Sequence, residues 1–281
     1  MELLRPATLQ EALEALAIRA GRAKPLAGGT DLVVRMKDGV EHGASFISLA
    51  RCVELHGIRE EGDELVVGAM STHEEIARSI FLRRLAPVLC DAAAEVGSVQ
   101  IRERGTIGGN VVNASPAADL VPPLQVLDAK LVLRSSSDER RLPIELFAQG
   151  PKATQLRPDE LLVEVRFPRP LPAEIQLFQK VGARRALACA KISLAFRARV
   201  DGEVLRGVRI AWGAVAPTVV RAREAEAVLE GSAVRADVVA RAVDAALAAI
   251  SPIDDVRSTA WYRRTACAAL LRRALGATLL S

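Results

Sequence analysis

Three prolines in five residues, Pro168-Arg169-Pro170-Leu171-Pro172, prevent any helix or strand from running through the middle of this chain. Proline fixes φ, lacks an amide donor and pushes the preceding residue out of the helical region. This makes the segment the best candidate for a boundary between units. The pattern predicts one domain over 1–170 and a second over 171–281. At 281 residues, half of them hydrophobic, the chain can give each domain a core.

Elements can be placed around that break. Thr8-Leu9-Gln10-Glu11 and Thr72-His73-Glu74-Glu75 have the spacing of capping boxes, and predict helices running to about Ala20 and about Val96. Strands are expected over 46–49, 64–68, 130–134 and 161–167, with a short helix over 117–127 despite Pro122-Pro123. Beyond the break, three strands are expected at 174–181, 191–200 and 204–215. Asp201-Gly202 makes the turn between the last two. Two Ala/Leu/Arg-rich helices follow, near 234–250 and 257–275. The order is α+β, with a larger unit before a smaller one.

Many chemistries lack their residues. Cys52, Cys90, Cys189 and Cys267 lie far apart with no CxxC pair, so neither a zinc site nor an iron–sulfur cluster is expected on this chain. Disulfides are not expected either, which points to a reducing compartment. His42, His56 and His73 show no HExxH spacing, and His73, at a helix start, is expected at the surface. GxSxG, GxxxxGK[ST] and GxGxxG are all missing. With 38 basic against 34 acidic residues the net charge is only +4, without a basic run. Six Phe, two Trp and one Tyr are too few for a single-stranded nucleic-acid groove. No apolar run is long enough to span a bilayer, and Met1 to Pro6 lacks the features of a signal peptide. A cytoplasmic protein without membrane or nucleic-acid partners is the expectation.

Two glycine segments remain. In Ala27-Gly28-Gly29-Thr30-Asp31-Leu32, paired glycines permit positive φ and let amides approach a ligand as an anion-binding nest. An ordinary strand-to-helix turn has the same look. The second segment is Arg104-Gly105-Thr106-Ile107-Gly108-Gly109-Asn110, continuing to Asp119. There Gly108 and Gly109 are expected to bring the backbone close to a flat or phosphorylated ligand, and Asp119 either accepts from hydroxyls or caps the next helix. Together the two segments make a cradle for a phosphate-bearing cofactor.

These residues resemble a known family. Ala27-Gly28-Gly29-Thr30-Asp31-Leu32 with Thr106-Ile107-Gly108-Gly109-Asn110 is similar to the FAD-binding (medium) subunit of molybdenum hydroxylases, the xanthine dehydrogenase and carbon monoxide dehydrogenase family. The similarity takes in Gln100-Ile101-Arg102, Ser115-Pro116-Ala117-Ala118-Asp119-Leu120, Pro158-Asp159-Glu160-Leu161-Leu162, Tyr262-Arg263-Arg264 and Leu270-Leu271-Arg272-Arg273. The resemblance implies a bipartite FAD-binding domain of the vanillyl-alcohol-oxidase type. A small α/β C-terminal domain, a three-stranded antiparallel sheet with helices, would follow it. It also implies FAD contacts from Ala27 to Leu32, Ile101, Thr106 to Asn110, Asp119 and Leu162. Lys180 matches a basic residue near the flavin in some relatives, although a solvated strand lysine reads the same in sequence.

The resemblance further implies electron transfer. A large molybdopterin subunit would hydroxylate a heterocycle, purine or aldehyde. A small 2Fe–2S subunit would relay electrons to FAD here, and FAD would pass them to NAD, a quinone or dioxygen. A dimer of heterotrimers is the expected assembly, and no catalytic acid or base is expected on this chain. Two departures stand out: no tyrosine occurs over 184–191, where some relatives carry one near the flavin, and the cysteine-bearing insertion of another branch is missing. A self-sufficient FAD oxidoreductase and a flavin-free structural subunit are the alternatives.

Overall fold

The computed structural model describes residues 2–19, 21–41, 45–184 and 187–279. Ala20 and His42 therefore lie outside the described residues. The first elements are β1 (Glu2–Leu4), α1 (Leu9–Arg19), β2 (Ala23–Leu26), α2 (Leu32–Lys37) and β3 (Ser45–Ser48). The three strands form a parallel sheet in the order β1-β3-β2. Parallel neighbours need crossovers, which α1 and α2 supply. Helix α1 buries Leu9, Ala12, Leu13 and Leu16, a stripe at helical spacing. Its box is half formed. The Glu11 amide donates to Thr8 Oγ1 at 3.2 Å, but the Glu11 carboxylate accepts from the amide of Ala7 instead of Thr8.

A second, antiparallel sheet contains β4 (Ile58–Glu61), β5 (Glu64–Gly68), β6 (Lys130–Arg134), β7 (Glu139–Pro143) and β10 (Leu161–Pro168), in the order β4-β5-β10-β6-β7. Between β5 and β6 run six short helices: α3 (His73–Arg78), α4 (Ile80–Leu85), α5 (Pro87–Ala94), α6 (Val99–Arg102), α7 (Ile107–Val112) and α8 (Val121–Val126). Between β7 and β10 lie α9 (Ile144–Phe147) and a hairpin of β8 (Ala148–Gly150) and β9 (Ala153–Thr154). The helical region expected to reach about Val96 is three helices, α3, α4 and α5. Ser79 leaves the helical region and recaps α4 by accepting from the Leu82 amide at 3.2 Å, and Pro87 restarts the chain as the first residue of α5. The box at Thr72 is complete. Val132, Leu161 and Val163 of this sheet join the core beneath α1, so the two sheets share apolar cover.

The third sheet corrects an expectation. It has four strands, not three: β11 (Glu174–Val181), β12 (Ile192–Asp201), β13 (Val204–Gly213) and β14 (Val220–Arg221). The added edge strand is two residues long, paired with Ala211 and Trp212, too short to leave an alternation in sequence. Helices α10 (Arg223–Leu229), α11 (Ala236–Ala248) and α12 (Ala260–Ala277) cover one face, burying Leu194, Phe196, Ala198 and Trp212. Ala195 on the opposite face joins the core that includes α5 and α8 residues. That second contact brings Lys180 of β11 against Asp119, just before α8. Arg263 of α12 is 2% exposed and donates to the Ala214 carbonyl at 3.0 Å and to Asp255 at 2.6 Å.

Candidate functional site

The turn after β2 faces the start of α7 across a cleft of about 360 Å³, lined by Ala27, Gly28, Gly29, Thr30, Asp31, Leu32, Ile101, Thr106, Gly109 and Asn110. Gly29 adopts φ +74°, and Asp31 begins α2 without a side-chain cap bond. Among the described residues, none of the six amides from Ala27 to Leu32 donates to an acceptor within the chain. Six consecutive free donors ahead of a helix make a nest suited to an anion. The ionised side chains of the lining balance, with Lys24 and Arg35 against Asp31 and Glu41. Attraction for an anion therefore rests on backbone dipoles.

The second segment differs from its expectation. Gly108 and Gly109 lie in α7, and the amides from Ile107 to Asn110 are already used. Ile107 donates to the Ser71 carbonyl, Gly108 to that of Ala69, Gly109 to Thr106 Oγ1 and Asn110 to the Thr106 carbonyl. A Cβ on residue 108 would stand 2.7 Å from the Ala69 carbonyl oxygen, so Gly108 serves backbone packing; on residue 109 it would meet only Thr106 Oγ1, at 3.1 Å. Ile107 is fully buried in the core and lines neither cleft. What α7 offers is side chains, above all the buried, unpartnered Oδ1 of Asn110.

A smaller apolar slot of about 90 Å³ adjoins the cleft, sharing Pro25, Ala27, Gly109 and Val112 with it. Leu162 lines it with Gly108, Leu161 and Met70. Asp119 and Lys180 line neither space. They form a buried ion pair at 2.6 Å, and Lys180 also donates to the Glu95 carbonyl at 2.9 Å. Lys180 is thus no solvated lysine. Nor does Asp119 cap α8, whose first residues receive no side-chain cap bond. Burial pushes the Asp119 carboxyl up to about 6 against the opposing pull of Lys180, and its Oδ1 has no partner.

His73 corrects another expectation. It is 3% exposed, lines the cleft, and leaves Nδ1 buried without a partner. Burial, aided by Arg102, pulls its pKa down to about 4, so the ring is neutral. Arg35, Asn113 and Val112 also line the cleft. Val112 and Asn113 fall in the second glycine segment, which continues to Asp119, whereas Arg35 lies outside both segments. Nothing local marks Arg35, because α2, α3 and α7 meet only on folding.

Residues 1–170 match the model of the FAD binding domain in molybdopterin dehydrogenase, and residues 178–278 match the CO dehydrogenase flavoprotein C-terminal domain. The chain is a member of this flavoprotein family. It is 33% identical to the carbon monoxide dehydrogenase medium chain of Hydrogenophaga pseudoflava, over 97% of this chain and 94% of that one. It is 31% identical to the xanthine dehydrogenase FAD-binding subunit of Escherichia coli, over 92% and 89%. Carbon monoxide dehydrogenase from Hydrogenophaga pseudoflava, solved in a form lacking the Mo-pyranopterin moiety of its molybdenum cofactor, superposes with a TM-score of 0.95. That match is at 33% identity and covers 98% of this chain and 96% of that one. The chain is thus an FAD-binding medium subunit of the molybdenum hydroxylases, an oxidoreductase subunit. For this flavoprotein the site chemistry fits the cofactor. Free amides suit a pyrophosphate, and the orphaned Asn110 Oδ1 beside them is an acceptor for a cofactor donor. No helix among the described residues is long and apolar enough to cross a membrane.

Proposed function

We propose that this subunit holds FAD in the cleft between α2 and α7, and carries electrons from 2Fe–2S clusters on a small partner chain to NAD, a quinone or dioxygen. The observation behind this reading is the run of six unpaired amides from Ala27 to Leu32 on one wall of the cleft, with Asn110 also lining it. Those amides would bind the pyrophosphate, and Thr30 would add a hydroxyl. Ile101, Thr106 and Gly109 would shape the wall across from them, packed from behind by Ile107, while Gly108 and Leu162 would keep water from the apolar slot. Asp119 would accept from cofactor hydroxyls, and Lys180 would hold that carboxylate ionised and in place. Bound FAD supplies one-electron acceptance with two-electron release, chemistry that no side chain here provides.

A large molybdopterin subunit would choose the substrate, a heterocycle, purine or aldehyde, and a dimer of cytoplasmic heterotrimers is the proposed assembly. The chain is proposed to divide at 170/171 into an FAD-binding domain of the vanillyl-alcohol-oxidase type and a C-terminal domain. The ends of the two family matches and the proline cluster support that division. The test is the visible spectrum of the purified chain, with the released cofactor identified by mass. FAD near one per chain is expected; no flavin after reconstitution with excess FAD overturns the proposal.

A further inference from the structure

His73 is the buried titratable group that the proposed function leaves unused. It is the first residue of α3, and three contacts hold it. Thr72 caps the helix in a full capping box and bridges to Thr106, and the His73 amide donates to the Gly105 carbonyl at 2.9 Å. The ring lies so close to residue 105 that a Cβ there would stand 3.0 Å from its Cδ2, so a side chain at that position would displace it. Although only 3% exposed, the ring lines the same cleft as the free amides; its Nδ1 is buried without a partner, and among the described residues no group bonds to Nε2. A neutral imidazole has one donor and one acceptor, and here both lack partners. Such a ring, in a cleft of unused donors, is built for a ligand.

We infer that His73 is a phosphate ligand, its N–H completing the donor set that the amides of residues 27–32 begin. This inference rests on the FAD reading and names a residue for it. The groups around the ring are Arg102 of α6, which pairs with Glu74 at 2.8 Å; Glu74, Glu75 and Arg78 of its own helix; and Lys24, Asp31, Arg35 and Glu41 on the cleft walls. Burial and Arg102 keep the free ring neutral down to about pH 4. A pyrophosphate brings negative charge beside it and favours the imidazolium, which raises its pKa. Binding must then take up a proton as pH falls through the new value, and affinity must rise toward acid.

The test uses the full chain stripped of flavin and titrated with FAD between about pH 7.5 and about pH 5.5. Calorimetry in two buffers of different ionisation heat reads the proton uptake. Expected is tighter binding at the acid end, by roughly threefold or more, with net uptake. In His73→Asn and His73→Gln, FAD should bind about tenfold more weakly, with the pH slope attributable to His73 gone. Asp119 titrates in the same range, so the difference between wild type and variants is the readout. Folded variants with unchanged affinity and slope overturn the inference. Should both variants fail to fold, wild type with ADP and adenosine decides. Uptake with ADP alone supports a phosphate contact; equal uptake with both, or none with either, overturns it. Wild type that binds no FAD at any pH fails the flavoprotein reading, and the inference with it.

Discussion

The carbonyl oxygen of Arg104 stands 1.8 Å from where a Cβ on Gly28 would be. The two glycine segments thus meet backbone to backbone, and the floor of the cleft is a packing contact between loops far apart in sequence. Gly28→Ala must push these loops apart, at a cost of about 1–3 kcal/mol or more, with loss of flavin. Gly108→Ala meets the Ala69 backbone and should act alike. Gly109→Ala meets only Thr106 Oγ1 and gains helix propensity, so stability should change by less than about 1 kcal/mol while flavin retention falls. Thermal melts together with bound flavin per chain separate these outcomes. A Gly28→Ala protein with wild-type melting and full flavin would refute the packing argument.

The Asp119–Lys180 pair makes a pH-dependent prediction. Their side chains are 9% and 5% exposed, so removing one partner strands a buried charge. Lys180→Met should cost about 3–5 kcal/mol at neutral pH. The sign follows from the carboxyl. Burial already raises it to about 6, and without the lysine it rises further. Above the raised value the folded chain must ionise a buried acid, while below it the acid is protonated and neutral. The melting deficit of Lys180→Met against wild type should therefore be larger at about pH 8 than at about pH 5. An equal deficit at both values would mean that the pair does not bear the charge assigned to it.

Much of this architecture was readable from residues alone. Strands at 174–181, 191–200 and 204–215 showed themselves because alternating residues serve two different cores, and Asp201-Gly202 supplies the turn, with Gly202 at φ +62°. The unreadable parts depend on distant partners. The amides of Ile107 and Gly108 are consumed by carbonyls of Ser71 and Ala69, which no local pattern at α7 reveals. His73 sits in a perfect capping box, which fixes its backbone but not whether its ring meets water. Its burial is set by Gly105 and the cleft walls. Lys180 reads as any strand lysine until Asp119 arrives from before α8.

Asp128 makes a testable joint between the flavin-binding and C-terminal parts. It adopts φ +54°, and its carboxylate accepts from Arg197 and Arg209 at 3.2 Å and from Arg221 at 3.1 Å. These arginines come from β12, β13 and β14. Asp128→Asn preserves tolerance of the left-handed backbone and removes the charge, so any loss reports the ion cluster. A loss of roughly 1–2 kcal/mol is expected, shrinking at high salt because Asp128 is partly exposed. Denaturant melts at low and high salt check it, and salt-independent stability would place the joint in apolar packing alone.

Lys152 supplies the last prediction. It lies between β8 and β9 with φ +62°, and its Nζ reaches Asn113 Oδ1 and, at 3.4 Å, Asp31 Oδ1. Asp31 and Asn113 line the cleft from opposite sides, so the lysine links its two walls near solvent. Both charged partners are nearly half exposed, and such a pair contributes at most about 1 kcal/mol to folding. Its value should appear in cofactor residence. Lys152→Gly relieves the left-handed backbone and leaves only the direct bond from Asn113 Nδ2 to Asp31 Oδ1, at 3.4 Å, between the walls, so melting should hold steady or rise while FAD dissociates faster. Lys152→Ala removes the link without that relief and should melt lower than Lys152→Gly, with similar FAD dissociation. Stopped-flow release of FAD from both variants measures the link, and wild-type release rates in both would show that the cleft stays closed without it.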